Sequence, residues 1–186
     1  MTANKQAHFE SLLRPHLKAL YKTAYRFTQS RSDAEDLIQD LLVKTYARLE
    51  ELSTIERLRP WLAQVLYRLF LDLKRRESRS ELQLVIDNDE NTLEPTILPE
   101  HEPDGMLERS KTQQQLMTAL AKLNEDHRIV LTLHDSEGYT LSELVGILEC
   151  PLGTLKSRLH RARSRMRTLL KREQNHFNDP KILNEK

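Results

Sequence analysis

Hydrophobic residues in the first eighty positions recur at spacings of three and four, the period of a helix that buries one face. Three such stripes follow one another along the chain. The first consists of Phe9, Leu13, Leu17, Leu20, Ala24 and Phe27. The second consists of Ala34, Leu37, Ile38, Leu41, Leu42, Thr45 and Leu49. The third consists of Trp61, Val65, Leu69 and Leu73. The pattern therefore predicts three helices in the N-terminal part.

Two local signals predict where the later helices begin. Ser32 and Glu35 have the spacing of a capping box, in which each side chain accepts a hydrogen bond from the other residue's backbone. Pro60 fits the first position of the third helix, where a missing N–H costs nothing. Residues 52–59 are then a break between helices.

The helical period disappears between residues 77 and 106, where Pro95, Pro99, Pro103 and Gly105 occur. Residues 80–108 contain nine acidic side chains and no Lys or Arg. This composition predicts a flexible acidic linker. The apolar residues 82–86 could form a short strand, but a strand without a partner is unstable, so a segment that becomes ordered against another protein is favoured.

Helical patterns return after the linker. One stripe is Leu116, Ala119, Leu120 and Leu123. A short helix with Ile129, Val130 and Leu133 is predicted to end at Gly138. Thr140 and Glu143 form a second capping-box pattern before Leu141, Leu144, Ile147 and Leu148. After Pro151, a long helix is indicated by Leu152, Leu155, Leu159, Ala162, Met166 and Leu169.

Composition supports an all-α fold, because only 4 of 186 residues are Gly while 31% are charged. We expect two small helical domains, at residues 1–79 and 111–173. The flexible acidic linker occupies residues 80–110 and a frayed tail residues 174–186.

The net charge of +1 conceals a segregation, since residues 156–172 contain eight Lys or Arg and no acid. Different parts of the chain should therefore have different partners.

Residues 140–163 have the layout of a helix-turn-helix, in which a short helix braces a second helix that reads the DNA major groove. The alternative is a basic solvated helix, or one that faces RNA or a membrane surface. The reading helix is predicted to contact DNA through Lys156, Ser157, Arg158, His160, Arg161 and Arg165.

Three motifs resemble the extracytoplasmic-function (ECF) subfamily of sigma-70 factors. The run PLGTLKSRLHRAR, residues 151–163, is similar to sigma region 4, although Glu149 stands where the turn usually has Gly. A non-Gly residue with positive φ costs some stability there. The run DAEDLIQD, residues 33–40, resembles region 2. Trp61, Asp72, Arg75 and Arg76 match the region 2 segment for the minus-ten element. Regions 1.1 and 3 are missing, as in the ECF class.

The resemblance implies functions for these surfaces. In the second helix, it identifies a core polymerase-binding face formed by Glu35, Asp36, Gln39 and Asp40. Without it, that face would be interpreted as merely solvated. It implies minus-ten recognition and melting by Arg59, Trp61, Arg68, Lys74, Arg75 and Arg76. Arg68 stands where the family usually has Asn. Trp61 is either a stacking partner for an unpaired base or a core anchor.

The resemblance also implies the partners: core RNA polymerase, through its β′ clamp and β flap, promoter DNA, and an anti-sigma factor. The linker would thread toward the active-site and RNA-exit path of the polymerase. Residues 1–10 have no signal-peptide run, and no stretch approaches the ~20 apolar residues of a membrane span, so a cytoplasmic protein is expected. No metal, cofactor or enzymatic activity is predicted. Cys150 is expected to be a small buried residue.

Other protein classes fit the sequence less well. A response-regulator-like or LuxR-like effector would use the helix-turn-helix as a dimer, but a receiver domain needs alternating strands and helices. An enzyme would need a nucleophile, a base and an orienting residue, and no such set can be proposed among the scattered histidines. An adaptor that binds polymerase without recognising promoters stays open.

Overall fold

A computed structural model describes the backbone of residues 2–84 and 106–177, and the side chains of residues 5–79 and 112–172. In these ranges the chain consists of helices joined by short turns and loops and has no strand, which confirms the all-α prediction. The helices are α1 (Thr2–Thr28), α2 (Arg31–Tyr46), α3 (Leu49–Leu52), α4 (Leu58–Leu84), α5 (Met106–Ala121), α6 (Glu125–Leu131), α7 (Leu141–Leu148) and α8 (Leu152–Phe177).

The N-terminal unit, α1–α4, is built on the long helices α1, α2 and α4, each of which contacts the other two. Its core includes the ring pair Phe27 and Phe70, whose centroids are 5.4 Å apart. The predicted stripes of α1 and α2 face inward. Their fully or largely buried members are Leu13, Leu20, Ala24, Phe27, Ala34, Leu37, Leu41 and Thr45.

Two predicted helix starts were wrong by two residues. The hydroxyl of Ser30, not that of Ser32, accepts a hydrogen bond from the Asp33 backbone N–H, at 3.4 Å. Gln29 at φ 59° turns the chain just before that cap. Pro60 is the third residue of α4, not the first. It is tolerated because the first turn of any helix has N–H groups without intrahelical partners.

The buried face of α4 also differs from its predicted stripe. Its buried residues are Leu62, Ala63, Leu66, Leu69 and Phe70. Trp61, Val65 and Leu73 are only half-buried, so the helix is rotated from the expected face. Helix α4 continues to Leu84, so the strand considered for residues 82–86 is wrong over its first three residues. Residues 85 and 86 and the proline-rich part of the linker lie outside the described residues.

The C-terminal unit, α5–α8, is arranged around α8, which packs against α5, α6 and α7. After α6 the chain continues through a π-helical turn, Thr132–Ser136, and changes direction at Gly138 with φ 74°. Leu155, Leu159, Ala162, Met166 and Leu169 are buried as predicted. Leu116 and Leu152 were predicted in apolar stripes but are exposed. Leu152 is the first residue of α8 and begins its stripe.

The two units contact each other in this structure, chiefly through α4 with α7 and α1 with α6. The guanidinium of Arg128 on α6 donates a hydrogen bond to the Phe27 carbonyl at the end of α1, at 3.0 Å. Arg26 pairs with Glu137 at 2.9 Å, and both side chains are largely buried. Cys150 is half-buried against the core. No described helix has the length and apolar character that a membrane crossing requires.

Candidate nucleic-acid interface

Helix α7 begins with the predicted capping box. The Thr140 hydroxyl accepts a hydrogen bond from the Glu143 N–H at 3.2 Å, and the Glu143 carboxylate accepts one from the Thr140 N–H at 2.8 Å. This second bond is the largest of the effects that hold the pKa of Glu143 below its ordinary value. The cap fixes where α7 starts and thereby how it crosses α8.

The turn between α7 and α8 occupies residues 149–151. Glu149 adopts the left-handed conformation with φ 51°, as expected for a residue in the place of the usual Gly. Its side chain is exposed. The turn lets α8 begin at Leu152 and cross α7, which is the arrangement of a helix-turn-helix.

Helix α8 presents a basic face opposite its buried stripe. The predicted DNA contacts on this face that are exposed are Lys156, Ser157, His160, Arg161 and Arg165. Arg161 lies along the helix surface, where its Nε donates to the Ser157 carbonyl at 3.3 Å. Arg158 differs from the expectation, because it is half-buried and lies 3.0 Å from the Asp126 carboxylate of α6.

A second arginine of α8 is also held within the C-terminal unit. The Nε of Arg163 donates to the Asp135 carboxylate at 2.9 Å, and this pairing lowers the pKa of Asp135. Arg158 and Arg163 therefore brace α8 against α6 and the π-helical turn. The residues left exposed around Ser157 and Arg161 form the open face of α8.

Comparison with known protein families agrees with the helix-turn-helix arrangement. The model of Sigma-70 region 2 matches residues 12–80, and the model of Sigma-70 region 4 matches residues 113–166. RNA polymerase sigma-E factor of Streptomyces coelicolor is 30% identical over 160 residues, which are 86% of this chain and 84% of that protein. The chain belongs to the ECF subfamily of sigma-70 factors.

Other relatives agree. ECF RNA polymerase sigma factor SigE of Mycolicibacterium smegmatis is 30% identical over 164 residues, which are 87% of this chain but 61% of that longer protein. Sigma factor RpoE of Bartonella quintana, solved with the anti-sigma factor NepR, superposes with a TM-score of 0.72. That match has 29% identity and covers 88% of this chain and 96% of the other.

In region 2, the acidic face of α2 is open to solvent. Asp36, Gln39 and Asp40 are exposed, whereas Glu35 is tied to Arg31 at 2.9 Å. The face borders a groove of about 470 Å³ between α2 and α4, which Asp72 and Arg76 also line. Val43 lies in the same groove with 70% of its surface exposed, and sequence reasoning missed it. Val43 lies outside the apolar stripe of α2, and this was the feature of the sequence that could have identified it as an exposed apolar residue.

Five of the six residues predicted to contact the minus-ten element fall into two groups. Lys74, Arg75 and Arg76 are exposed near the described end of α4, where Lys74 pairs with Glu77 and Arg75 with Asp72. Arg59 and Arg68 instead contact region 4. Arg59 lies 4.5 Å above the Tyr139 ring and donates to the Glu137 carbonyl, and Arg68 pairs with Glu149. Trp61 is half-buried, with the Arg48 guanidinium 5.7 Å from its ring.

Further residues of this contact between regions were not predicted. Arg57 pairs with Glu143, and the Gln64 amide donates to the Gly146 carbonyl at 2.8 Å. The buried Tyr139 donates its hydroxyl to the Arg59 carbonyl at 3.2 Å. No local pattern could identify these pairs, because their members are about eighty residues apart in the sequence.

Region 4 carries a second exposed feature, an apolar groove between α5 and α8. It is lined by Leu116, Leu120, Leu131, Met166 and Leu170, with Arg163 and Arg167 at its rim. The exposure of Leu116 is explained by this groove. Among the described residues, no cluster of His, Cys, Asp and Glu could hold a metal ion.

Proposed function

We propose that the chain binds core RNA polymerase, directs it to specific promoters and has no catalytic activity of its own. The observation that carries this proposal is the occurrence in one chain of an exposed acidic helix in region 2 and an exposed basic reading helix in region 4. Either surface alone fits many proteins. Together with membership of the sigma-70 family, they fit a promoter-specificity factor.

The reading helix α8 is proposed to contact the minus-thirty-five element through Lys156, Ser157, His160, Arg161 and Arg165. Ser157 and Arg161 lie one turn apart on its exposed face. Arg side chains bind guanine edges in the major groove through two hydrogen bonds. Arg158 is proposed as a bracing residue that also contributes positive charge, since Asp126 already holds its guanidinium.

The minus-ten element is proposed to bind along α4, from Arg59 and Trp61 through Arg68 to the cluster Lys74, Arg75 and Arg76. The half-exposed Trp61 offers a ring face on which an unpaired base can stack. Such stacking offsets part of the few kcal/mol that base flipping costs.

Polymerase binding is assigned to the acidic face of α2. Asp36, Gln39 and Asp40 supply polar contacts, and Glu35 contributes from its pair with Arg31. Exposed Val43 adds an apolar contact beside them. Such a mixture of one apolar anchor and a polar surround is typical of protein interfaces. The apolar groove of region 4 is the candidate site for the β flap.

An anti-sigma factor is proposed as a further partner, supported by the Bartonella quintana sigma factor that was solved with one. A more distant structure, CnrH with the cytosolic domain of CnrY, has 24% identity and a TM-score of 0.59 and supports the fold alone. The proposed place of action is the cytoplasm, where polymerase and promoter DNA are found.

The test is transcription in vitro from genomic fragments with core polymerase, with and without the chain. We expect transcripts with defined start sites only when both are present, and an unpaired region at the minus-ten element in permanganate footprints. Tight, sequence-specific duplex binding by the chain alone, without polymerase, would instead indicate an independent effector. Co-purification with polymerase without promoter opening would indicate an adaptor.

A further inference from the structure

The first turns of α1 extend beyond the part of the chain that matches region 2 of the sigma-70 family. That match begins at residue 12, whereas α1 begins at Thr2. The segment before residue 12 contacts the end of α2 and the α2–α4 connection, residues 47–57, which includes α3. The contacts are His8 with Ser53, Lys5 with Glu50, and Phe9 with Tyr46. Residues outside the family match therefore hold a segment inside it.

Two of these contacts are polar and exposed. The Nε2 atom of His8 lies 2.9 Å from the Ser53 hydroxyl, within hydrogen-bonding distance. The Nζ atom of Lys5 lies 3.8 Å from the Glu50 carboxylate, and 65% and 92% of these two side chains are exposed. Exposed contacts of this kind each shift an equilibrium by no more than about fivefold. They therefore adjust the position of the connection without deciding whether region 2 folds.

The third contact is apolar and joins the same two parts of the chain. The rings of Phe9 and Tyr46 meet edge to face, with centroids 5.1 Å apart. The charge distribution of aromatic rings favours this arrangement. Tyr46 is the last residue of α2, directly before the connection. The start of α1 thus contacts the chain where it enters the connection and, through Lys5 and His8, in the middle of it.

Arg48 links the α2–α4 connection to Trp61, the ring that is proposed to stack on an unpaired base. Its guanidinium carbon lies 5.7 Å from the centre of the Trp61 ring, and its Nε donates to the Glu51 carboxylate at 2.9 Å. Glu51 belongs to α3, the helix whose Glu50 pairs with Lys5. The place of Arg48 over the ring therefore depends on where α3 is held.

We propose that the start of α1 positions Arg48 beside Trp61 and thereby selects which unpaired base of the minus-ten element is accepted there. Lys5 and His8 are positioning residues, because they contact the connection and act through it. Arg48 determines specificity, because a base that stacks on Trp61 comes within reach of its five N–H donors. The proposal rests on the proposed function for the identity of the DNA, and it adds residues that the minus-ten group does not include.

The first experiment uses Trp61, which is the only tryptophan of the chain, so that its fluorescence reports on this place alone. The test variant is Lys5→Ala with His8→Ala. The matched control is Gln6→Ala with Arg14→Ala, which removes the same charge from exposed positions of α1. Acrylamide should quench the fluorescence of the free chain more strongly in the test variant than in the parent. The control should be quenched like the parent, and circular dichroism checks that all variants are folded.

The second experiment measures base selection by transcription with core polymerase. The templates are one promoter from the genomic-fragment assay and its single-base substitutions across the minus-ten element. At one position, the preference for the best base should fall about two- to fivefold in the test variant and stay unchanged in the control. His8→Ala alone should give part of this fall. His8→Gln, which keeps a nitrogen donor near Ser53, should not.

Arg48→Ala shows whether these residues act through the guanidinium beside Trp61. It should lower the preference at the same minus-ten position as the test variant. Adding Lys5→Ala and His8→Ala to Arg48→Ala should then change the preference little, because side chains that act through one another are not additive. Falls that multiply in the combined variant would overturn this order of action.

A uniform loss of transcription on all templates would overturn the proposal, since a general weakening of region 2 acts on every promoter alike. Unchanged base preference together with unchanged quenching would overturn it as well. If the parent chain itself directs no promoter-dependent transcription, the proposed function fails and base selection with it. The quenching of Trp61 would in that case still show whether the start of α1 positions the connection.

Discussion

The guanidinium of Arg158 lies 3.0 Å from the carboxylate of Asp126, so one of the basic side chains of the reading helix is bound to the helix behind it. Arg161, one turn farther along α8, is exposed and contacts only its own helix among the hydrogen bonds described. Two arginines that are three residues apart therefore have different environments. Their substitutions should have different consequences.

Arg161→Ala should change the sequence preference for the minus-thirty-five element. A bidentate Arg contact to a base is worth about 1 to 3 kcal/mol, and that amount is lost only on promoters that carry the matching base. The measurement is transcription at one salt concentration from wild-type and minus-thirty-five-substituted promoters. A reduction by the same factor on all of them would mean that Arg161 contacts phosphate or is structural.

Arg167→Ala and Lys171→Ala provide the contrast to Arg161→Ala. Both residues are exposed farther along α8, Arg167 at the rim of the apolar groove, and neither should contact base edges. Their loss should weaken binding evenly across sequences and lower the salt dependence of affinity. Unequal effects on different promoters would assign them to base recognition.

Asp36→Lys with Asp40→Lys should abolish association with core polymerase while the helical fold persists. Both side chains are exposed on α2, so the fold does not depend on them, whereas reversed charges would repel a complementary surface. Co-purification with core polymerase measures the effect, and circular dichroism controls for folding. Unchanged co-purification would remove this face from the interface.

Thr140→Ala should destabilise the chain by about 1 kcal/mol, because the N-cap hydroxyl of α7 is lost. The matched control is Ser142→Ala, which alters an exposed serine two residues later in the same turn. Chemical denaturation followed by circular dichroism compares the two. Equal free energies of unfolding for both variants would show that the capping box contributes little.

The free energy of unfolding should depend on the protonation of Glu143. The pKa of this carboxyl is lowered in the folded chain, chiefly by the Thr140 N–H. A lowered pKa means that the stabilisation is fully present above the ordinary carboxyl pKa of 4.5 and is lost as the pH falls through the folded value. Denaturation midpoints between neutral pH and about pH 3 should therefore fall less for Glu143→Gln than for the parent chain. An identical pH dependence would contradict this assignment.

The sequence by itself determined the helices and the surfaces they carry. Spacings of three and four identify a buried face because the period of a helix is a local property of its backbone, and Leu155, Leu159 and Ala162 are buried accordingly. The cap of α7 was predictable for the same reason, since Thr140 and Glu143 interact within one turn. The positive φ of Glu149 was expected only from its place in the resembled region 4 motif, where the turn usually has Gly.

Only the tertiary structure decided which signals apply and which residues meet. Ser30 and Ser32 are both competent caps, and the chain turn at Gln29 selected Ser30. Leu116 fits a helical stripe, but its exposure depends on how α5 lies against α8. Arg68 and Glu149 are 81 positions apart. Their pairing depends on the packing of α4 against α7. That packing results from the burial of many side chains in both regions, and it leaves no repeating pattern in the sequence from which it could be predicted.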